Sequence, residues 1–211
     1  MSIPDRIKEN NATHIVDEKE LNQLIAQAKE VFKDHHSNDC WFERSIFINW
    51  TCGIADCKYC YLSTKPKKDM NALRSHESIL AELLVCEVMG WDVGYLTGGL
   101  RVEENAYLQQ LLQKCEQVYG KKVRMNFGPY VKSEIDAFAP YTSGIGSAIE
   151  SFDEELHDYI CPSKPLKSLM NMLNYCKEKE IPTFITIILG LGEKKEDIEE
   201  VINKIDKHNI N

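Results

Sequence analysis

The stretch Ile46-Phe47-Ile48-Asn49-Trp50-Thr51-Cys52-Gly53-Ile54-Ala55-Asp56-Cys57-Lys58-Tyr59-Cys60 runs from an apolar, β-branched segment straight into three cysteines. The apolar residues at 45–49 read as a buried strand, so the thiols leave its C-terminal end on a loop. Three thiolates at C-x4-C-x2-C spacing are compatible with three chemistries. They can hold a 4Fe-4S cluster, which normally takes four cysteines, so that one iron stays open to a small ligand. They can join a structural zinc ion, with Cys40 upstream as a fourth donor. They can also pack as buried, reduced thiols. Structural zinc sites usually assemble two C-x2-C-like knuckles and only one is present, so the spacing favours iron and sulfur.

Outward from this loop the pattern alternates. Apolar runs at 93–96, 123–126, 144–149 and 183–189 read as further buried strands. Helical patterns follow the strands at about 71–89, 103–119, 131–138, 153–178 (broken around Pro162 and Pro165) and 195–208. Five strand-helix units in succession predict a parallel sheet with right-handed crossovers. The expected fold is α/β, a partial TIM-like barrel of five to six units over 45–211, behind an N-terminal helical extension over 1–44. That extension carries Leu21, Leu24, Ile25, Ala28, Val31 and Phe32 at helical spacing, with Asp17 and Glu20 placed as a capping box. A sixth strand ought to begin at residues 209–211, where the sequence stops, so the barrel is expected to lack strand six and a C-terminal segment.

A chain of 211 residues that is 43% hydrophobic can bury one substantial core. A net charge of -8 argues against an extended nucleic-acid surface, which needs a basic stripe. The first residues lack a signal-peptide core, and no apolar run approaches the roughly 20 residues of a membrane helix, so a cytoplasmic protein is expected. Eight cysteines in a chain of this kind read as reduced thiols or metal ligands. Cys86 and Cys115 lie in apolar helix patterns, and Cys40, Cys161 and Cys176 are likewise assigned structural roles.

In a parallel sheet of this type the loops leaving the strand C-termini share one rim, where ligands bind. Thr97-Gly98-Gly99, Asn126 to Tyr130, Glu150-Ser151 and Gly190-Leu191-Gly192-Glu193 should therefore meet the cysteines there. Gly98 and Gly99 fit a close backbone approach, or simply a strand-to-helix turn. Glu150, at the mouth of a buried strand, needs a partner, either a ligand or a neighbouring lysine. Lys164 and Lys167 read as solvated surface lysines. Tyr61, Asn126, Tyr130 and Ser147 point toward the barrel interior or serve packing. Lys65, Lys67 and Lys68 follow the cysteine loop as a basic docking patch or a solvated loop.

The cysteine loop after a first strand, joined to these rim motifs, resembles the radical S-adenosylmethionine (SAM) superfamily over about residues 17–211. Its usual spacing is C-x3-C-x2-C, one residue shorter than here. The resemblance implies a 4Fe-4S cluster on Cys52, Cys57 and Cys60 and SAM as co-substrate. It implies that Gly98 and Gly99 offer backbone to the SAM amino group, although the family's acidic third residue is Leu100 here. By resemblance to the biotin synthase and HydE-like branch, Glu150 would meet the ribose or amino group of SAM. Leu189, Gly190, Leu191 and Gly192 would line the adenine pocket, with the backbone of Tyr59 at the adenine edge. Thr97 and Ser147 complete the implied cofactor set. That branch places an arginine for the SAM carboxylate where this chain has Leu169.

The resemblance further implies reductive cleavage of SAM to a 5'-deoxyadenosyl radical, which abstracts hydrogen from a small molecule. The electron would come from a low-potential donor, a ferredoxin or flavodoxin. Within the branch, Cys57 to Ser63 and the longer first gap look most like the HcgA (HmdB) family. That family is tied to the iron-guanylylpyridinol cofactor of Fe-hydrogenase. The alternative from another class is a zinc-stabilised α/β binding protein, or an iron-sulfur scaffold that binds SAM without cleaving it.

Overall fold

In a computed structural model of the protein, residues 2–11, 17–208 and 210 are described, with the side chains of 9–11, 195–199 and 208 left aside. Residues 209 and 211, at the expected start of a sixth strand, lie outside them. Five strands form one open sheet in the order β1-β2-β3-β4-β5: Glu43–Phe47, Asp92–Thr97, Val123–Asn126, Thr142–Glu150 and Thr183–Ile187. Every neighbouring pair is parallel. The strands exist because runs such as Val123, Met125, Ile145 and Ile149 are apolar on the helix side, where they are buried.

The crossovers are α3 (His76–Met89), α4 (Asn105–Tyr119), α5 (Lys132–Phe138), α6 (Glu154–Ile160) with α7 (Leu166–Glu178), and α8 (Lys195–His208). Pro162 and Pro165 split the long pattern at 153–178 into two helices, as proline's missing N–H and fixed ring demand. The core lies between sheet and helices. Ile46, Leu96, Met125 and Ile145 meet Leu83, Leu111, Phe138 and Leu173 there, all at or near zero exposure. At about 25 cal/mol per Å² of apolar surface, such burial is the principal stabilising contribution.

Two N-terminal helices precede the sheet: α1 (Ile3–Asn11) and α2 (Glu18–His35). Helix α2 has the expected amphipathic pattern and its Asp17 cap accepts the Lys19 N–H at 2.9 Å, but none of its residues is buried. Helix α1 adds an anchor ahead of the amphipathic segment read from the sequence. Ile3 is buried in a small apolar group with Cys52, Ile54, Cys57 and Ile160, and Arg6 is paired with Asp153 at 2.6 Å. Arg6 Nε also donates to the Gly192 carbonyl at 2.9 Å, so α1 ties the ends of β4 and β5 together. No described helix is long and apolar enough to cross a membrane.

Candidate active site

The cysteine loop is fastened to the turn after β2 by backbone and by one buried side chain. Asn49 Oδ1 accepts the Gly99 N–H at 2.8 Å, and Asn49 Nδ2 donates to the Gly99 carbonyl at 3.2 Å and to Glu103. Gly53 N–H donates to the Leu100 carbonyl at 2.7 Å. A Cβ on Gly99 would stand 1.7 Å from the Thr51 carbonyl oxygen, and one on Gly53 would stand 2.6 Å from that of Arg101. The glycines therefore permit a close approach of two loops. The sulfur of Cys52 accepts the N–H groups of Leu100 at 3.3 Å and Ala55 at 3.4 Å, which fixes it against the turn after β2.

The opposite wall is the end of β4. A register shift between Ala148 and Glu150 and a φ of 65° at Glu150 turn its carboxylate inward, where the residue is 2% exposed. A left-handed conformation for a residue other than glycine costs about 1–3 kcal/mol and clusters at functional sites. Glu150 Oε1 receives Lys164 Nζ at 2.8 Å and the Tyr59 hydroxyl. Lys164 is thus no surface lysine: it is 4% exposed, and its ammonium also donates to the Ala148 carbonyl at 2.8 Å. His157 holds this arrangement, with its two ring nitrogens 2.8 and 2.7 Å from the carbonyls of Ile149 and Lys164. Burial, then the Glu150 acceptor, pushes the Tyr59 hydroxyl far above its usual range, so it stays a donor.

Cys161 differs from its expected structural role. It is fully buried in the same small apolar group as Cys57, and the interaction of the two thiols pushes that of Cys57 well up and that of Cys161 down. The Tyr59 hydroxyl is 3.9 Å from the Cys161 sulfur.

A cavity of about 160 Å³ gathers most of the expected residues: Cys52, Cys57, Cys60, Tyr59, Thr97, Gly98, Gly99, Ser147 and Glu150, together with Lys164. Thr97 and Ser147 hydroxyls donate to the carbonyls of Asn126 at 3.4 Å and Gly128 at 3.0 Å. The β5 turn is not among its lining residues. Leu189 is 72% exposed, Gly190 has a φ of 90°, Leu191 packs toward Cys52 and Cys57, and Gly192 abuts Ile7 of α1. Tyr61 is 66% exposed and lies under Lys65, while Tyr130 lines a separate cavity of about 550 Å³ beside α7. Two positions before Thr97 and Asn126 on their strands, Tyr95 and Arg124 both meet the Phe184 ring, at 5.4 and 5.3 Å between centres.

This donor set suits a cluster better than a single zinc ion. Zinc needs four donors at about 2.0–2.3 Å from one centre, whereas a cluster spreads its thiolates over several irons. Among the described residues, no three Cys, His, Asp or Glu side chains are gathered as one ion requires. The three loop thiols nevertheless line one cavity. Cys40, the candidate fourth zinc donor, is exposed ahead of β1, at the far end of a strand from the loop.

The model of the radical SAM superfamily matches residues 52–205. Over 203 residues the chain is 34% identical to the uncharacterized protein MJ0597 of Methanocaldococcus jannaschii, covering 90% of this chain and 54% of that one. Over 190 residues it is 22% identical to a 7,8-didemethyl-8-hydroxy-5-deazariboflavin synthase of Methanopyrus kandleri, covering 79% of this chain and 57% of that one. It therefore spans about half the length of these curated relatives. In fold it is similar to methylornithine synthase PylB, with a TM-score of 0.76 at 17% identity, covering 99% of this chain and 65% of that one. It is also similar to the [FeFe]-hydrogenase maturase HydG, with a TM-score of 0.70 at 14% identity, covering 97% and 51%. With its open parallel sheet, its three-cysteine loop and a family match over most of its length, the chain belongs to the radical SAM superfamily, whose members use SAM and an iron-sulfur cluster.

Proposed function

We propose that this chain is the radical-generating part of an enzyme that cleaves SAM reductively at a 4Fe-4S cluster and abstracts hydrogen from a small organic substrate. The observation that carries the reading is the cavity in which Cys52, Cys57 and Cys60 face Gly98, Gly99, Glu150 and Lys164. When bound, the reduced cluster supplies the electron that breaks the sulfonium bond to the 5' carbon. The protein's own contribution is binding, orientation and exclusion of water. Glu150 and the Tyr59 hydroxyl would offer polar groups to the amino or ribose end of SAM, and the Gly98-Gly99 backbone would serve its amino group. Lys164, held between Glu150 and the Ala148 carbonyl, is the buried cation for its carboxylate in place of the branch's arginine. Leu189, Gly190, Leu191 and Gly192 would line the adenine pocket, as in that branch.

We propose further that the chain acts in the biotin synthase and HydE-like branch, in the manner of HcgA, in biosynthesis of the iron-guanylylpyridinol cofactor of Fe-hydrogenase. Its C-x4-C-x2-C loop supports this, and the Tyr95–Phe184 pair gives the interior an aromatic wall suited to a flat heteroaromatic precursor. Lys58, Lys65, Lys67 and Lys68, all exposed beside the cysteine loop, suit an acidic ferredoxin or flavodoxin in the cytoplasm.

Anaerobically reconstituted protein given SAM and dithionite tests the reading: 5'-deoxyadenosine should accumulate, and its absence from a protein carrying about four irons would leave only a SAM-binding scaffold. Lys164→Met should weaken SAM binding about tenfold to a hundredfold, the worth of one charge-assisted hydrogen bond, while Lys164→Arg retains most of it. Calorimetric titration of SAM into both variants checks this, and equal affinity for Met and Arg would remove Lys164 from the site.

A further inference from the structure

The cysteine that packs beside Cys57 belongs to neither the loop nor the cavity lining. Cys161 follows α6, is fully buried, and lies in the same small apolar group as Cys57. The backbones run alongside one another here: Lys58 N–H donates to the Ile160 carbonyl at 2.9 Å, so the residues flanking the two cysteines are themselves bonded. A disulfide requires such neighbouring backbones and facing Cβ atoms. Within the loop, the Cys52 sulfur is occupied by the Leu100 and Ala55 N–H groups.

We infer that Cys57 and Cys161 form a reversible disulfide in the cluster-free protein, withdrawing one of the three loop thiols from metal binding until it is reduced. In the step, the Cys57 sulfur, which reaches the cavity, attacks one sulfur of a small-molecule disulfide; the oxidant's sulfur-sulfur bond breaks, its first thiol leaves with the Cys57 proton, and a mixed disulfide remains. Cys161 then displaces the second oxidant thiol. One sulfur-sulfur bond forms in the protein and one breaks in the oxidant. The two protein thiols give up two electrons and two protons, which leave as two oxidant thiols. A dithiol reverses the exchange. The disulfide also shields Cys57 from irreversible over-oxidation while the loop is empty. Its effect on loading rests on the cluster-ligand reading of Cys57, whereas its formation does not.

The test uses the full, metal-free chain. After treatment with oxidised glutathione, peptide mapping should find the Cys57–Cys161 cross-link as the main disulfide. Iron uptake on reconstitution should fall several-fold and recover after dithiothreitol. Cys161→Ala and Cys161→Ser should show no such cross-link and should load iron equally with or without oxidant pretreatment. Cross-links chiefly among Cys52, Cys57 and Cys60, or only mixed disulfides with glutathione, would overturn the inference. So would equal loss of iron uptake in the wild type and the Cys161 variants. Mapping requires neither SAM nor turnover, so its failure is distinguishable from failure of the cleavage reading.

Discussion

Gly99→Val should unseat the cysteine loop and cost about 4 kcal/mol or more of stability, a loss reserved for a few severe mechanisms. The new Cβ would stand 1.7 Å from the Thr51 carbonyl oxygen and 2.6 Å from the Cys52 Cα, both backbone atoms that cannot swing aside. Separating the loops also breaks the two hydrogen bonds by which Asn49 grips Gly99, each worth about 1 kcal/mol. Gly90→Ala provides the control. Gly90 has a φ of 68° but a Cβ there meets nothing within 4 Å, so only the backbone strain of about 1–2 kcal/mol applies. Urea midpoints should separate the two variants clearly, and matching midpoints would show that the loops are not interlocked.

Cys60→Ala should leave the fold nearly intact yet abolish the chemistry. Cys60 is only partly buried and belongs to no large core group, so its removal costs little packing. In the proposed cluster site its loss nevertheless leaves two of the three loop thiolates. Iron content should fall from about four to below about one per chain. Formation of 5'-deoxyadenosine should drop by more than the roughly hundredfold typical of losing an outer-shell partner. Cys40→Ala should retain both, because Cys40 is exposed ahead of β1. A loss of metal in Cys40→Ala, with Cys60→Ala unaffected, would instead favour zinc.

The parallel sheet was legible because its strands are short apolar runs separated by amphipathic stretches, and the α6–α7 break was legible from Pro162 and Pro165. Boundaries were less so. Helix α3 begins at His76 rather than near residue 71, since Ser75 caps it through the Ser78 N–H at 3.3 Å and Leu73 bridges to Asn49. Strand β5 ends at Ile187 rather than 189, where the exposed Leu189 and the positive φ of Gly190 turn the chain away. The anchoring of α1 was not legible because Ile3 packs on the cysteine loop and α6, and Arg6 pairs with Asp153, all distant in sequence.

The same physics separates the legible and illegible parts of the site. Clustered cysteines and paired glycines announce themselves by spacing. Lys164, His157 and Cys161 do not, because what distinguishes them is burial against β4 and the cysteine loop. Lys164 in a proline-flanked segment looks like any solvated lysine until the Glu150 carboxylate and the Ala148 carbonyl are found around it. Asn49 likewise looks like a polar end to a strand, although it fastens the Gly99 turn.

Electron paramagnetic resonance of the reduced, reconstituted protein, recorded before and after adding SAM, tests the proposed free iron vertex most directly. Three loop thiolates and an open fourth iron predict a reduced-cluster signal whose g-values shift when SAM is added, with the shift weakened in Lys164→Met. A spectrum indifferent to saturating SAM, or a colourless chain that retains one zinc ion, would contradict the account.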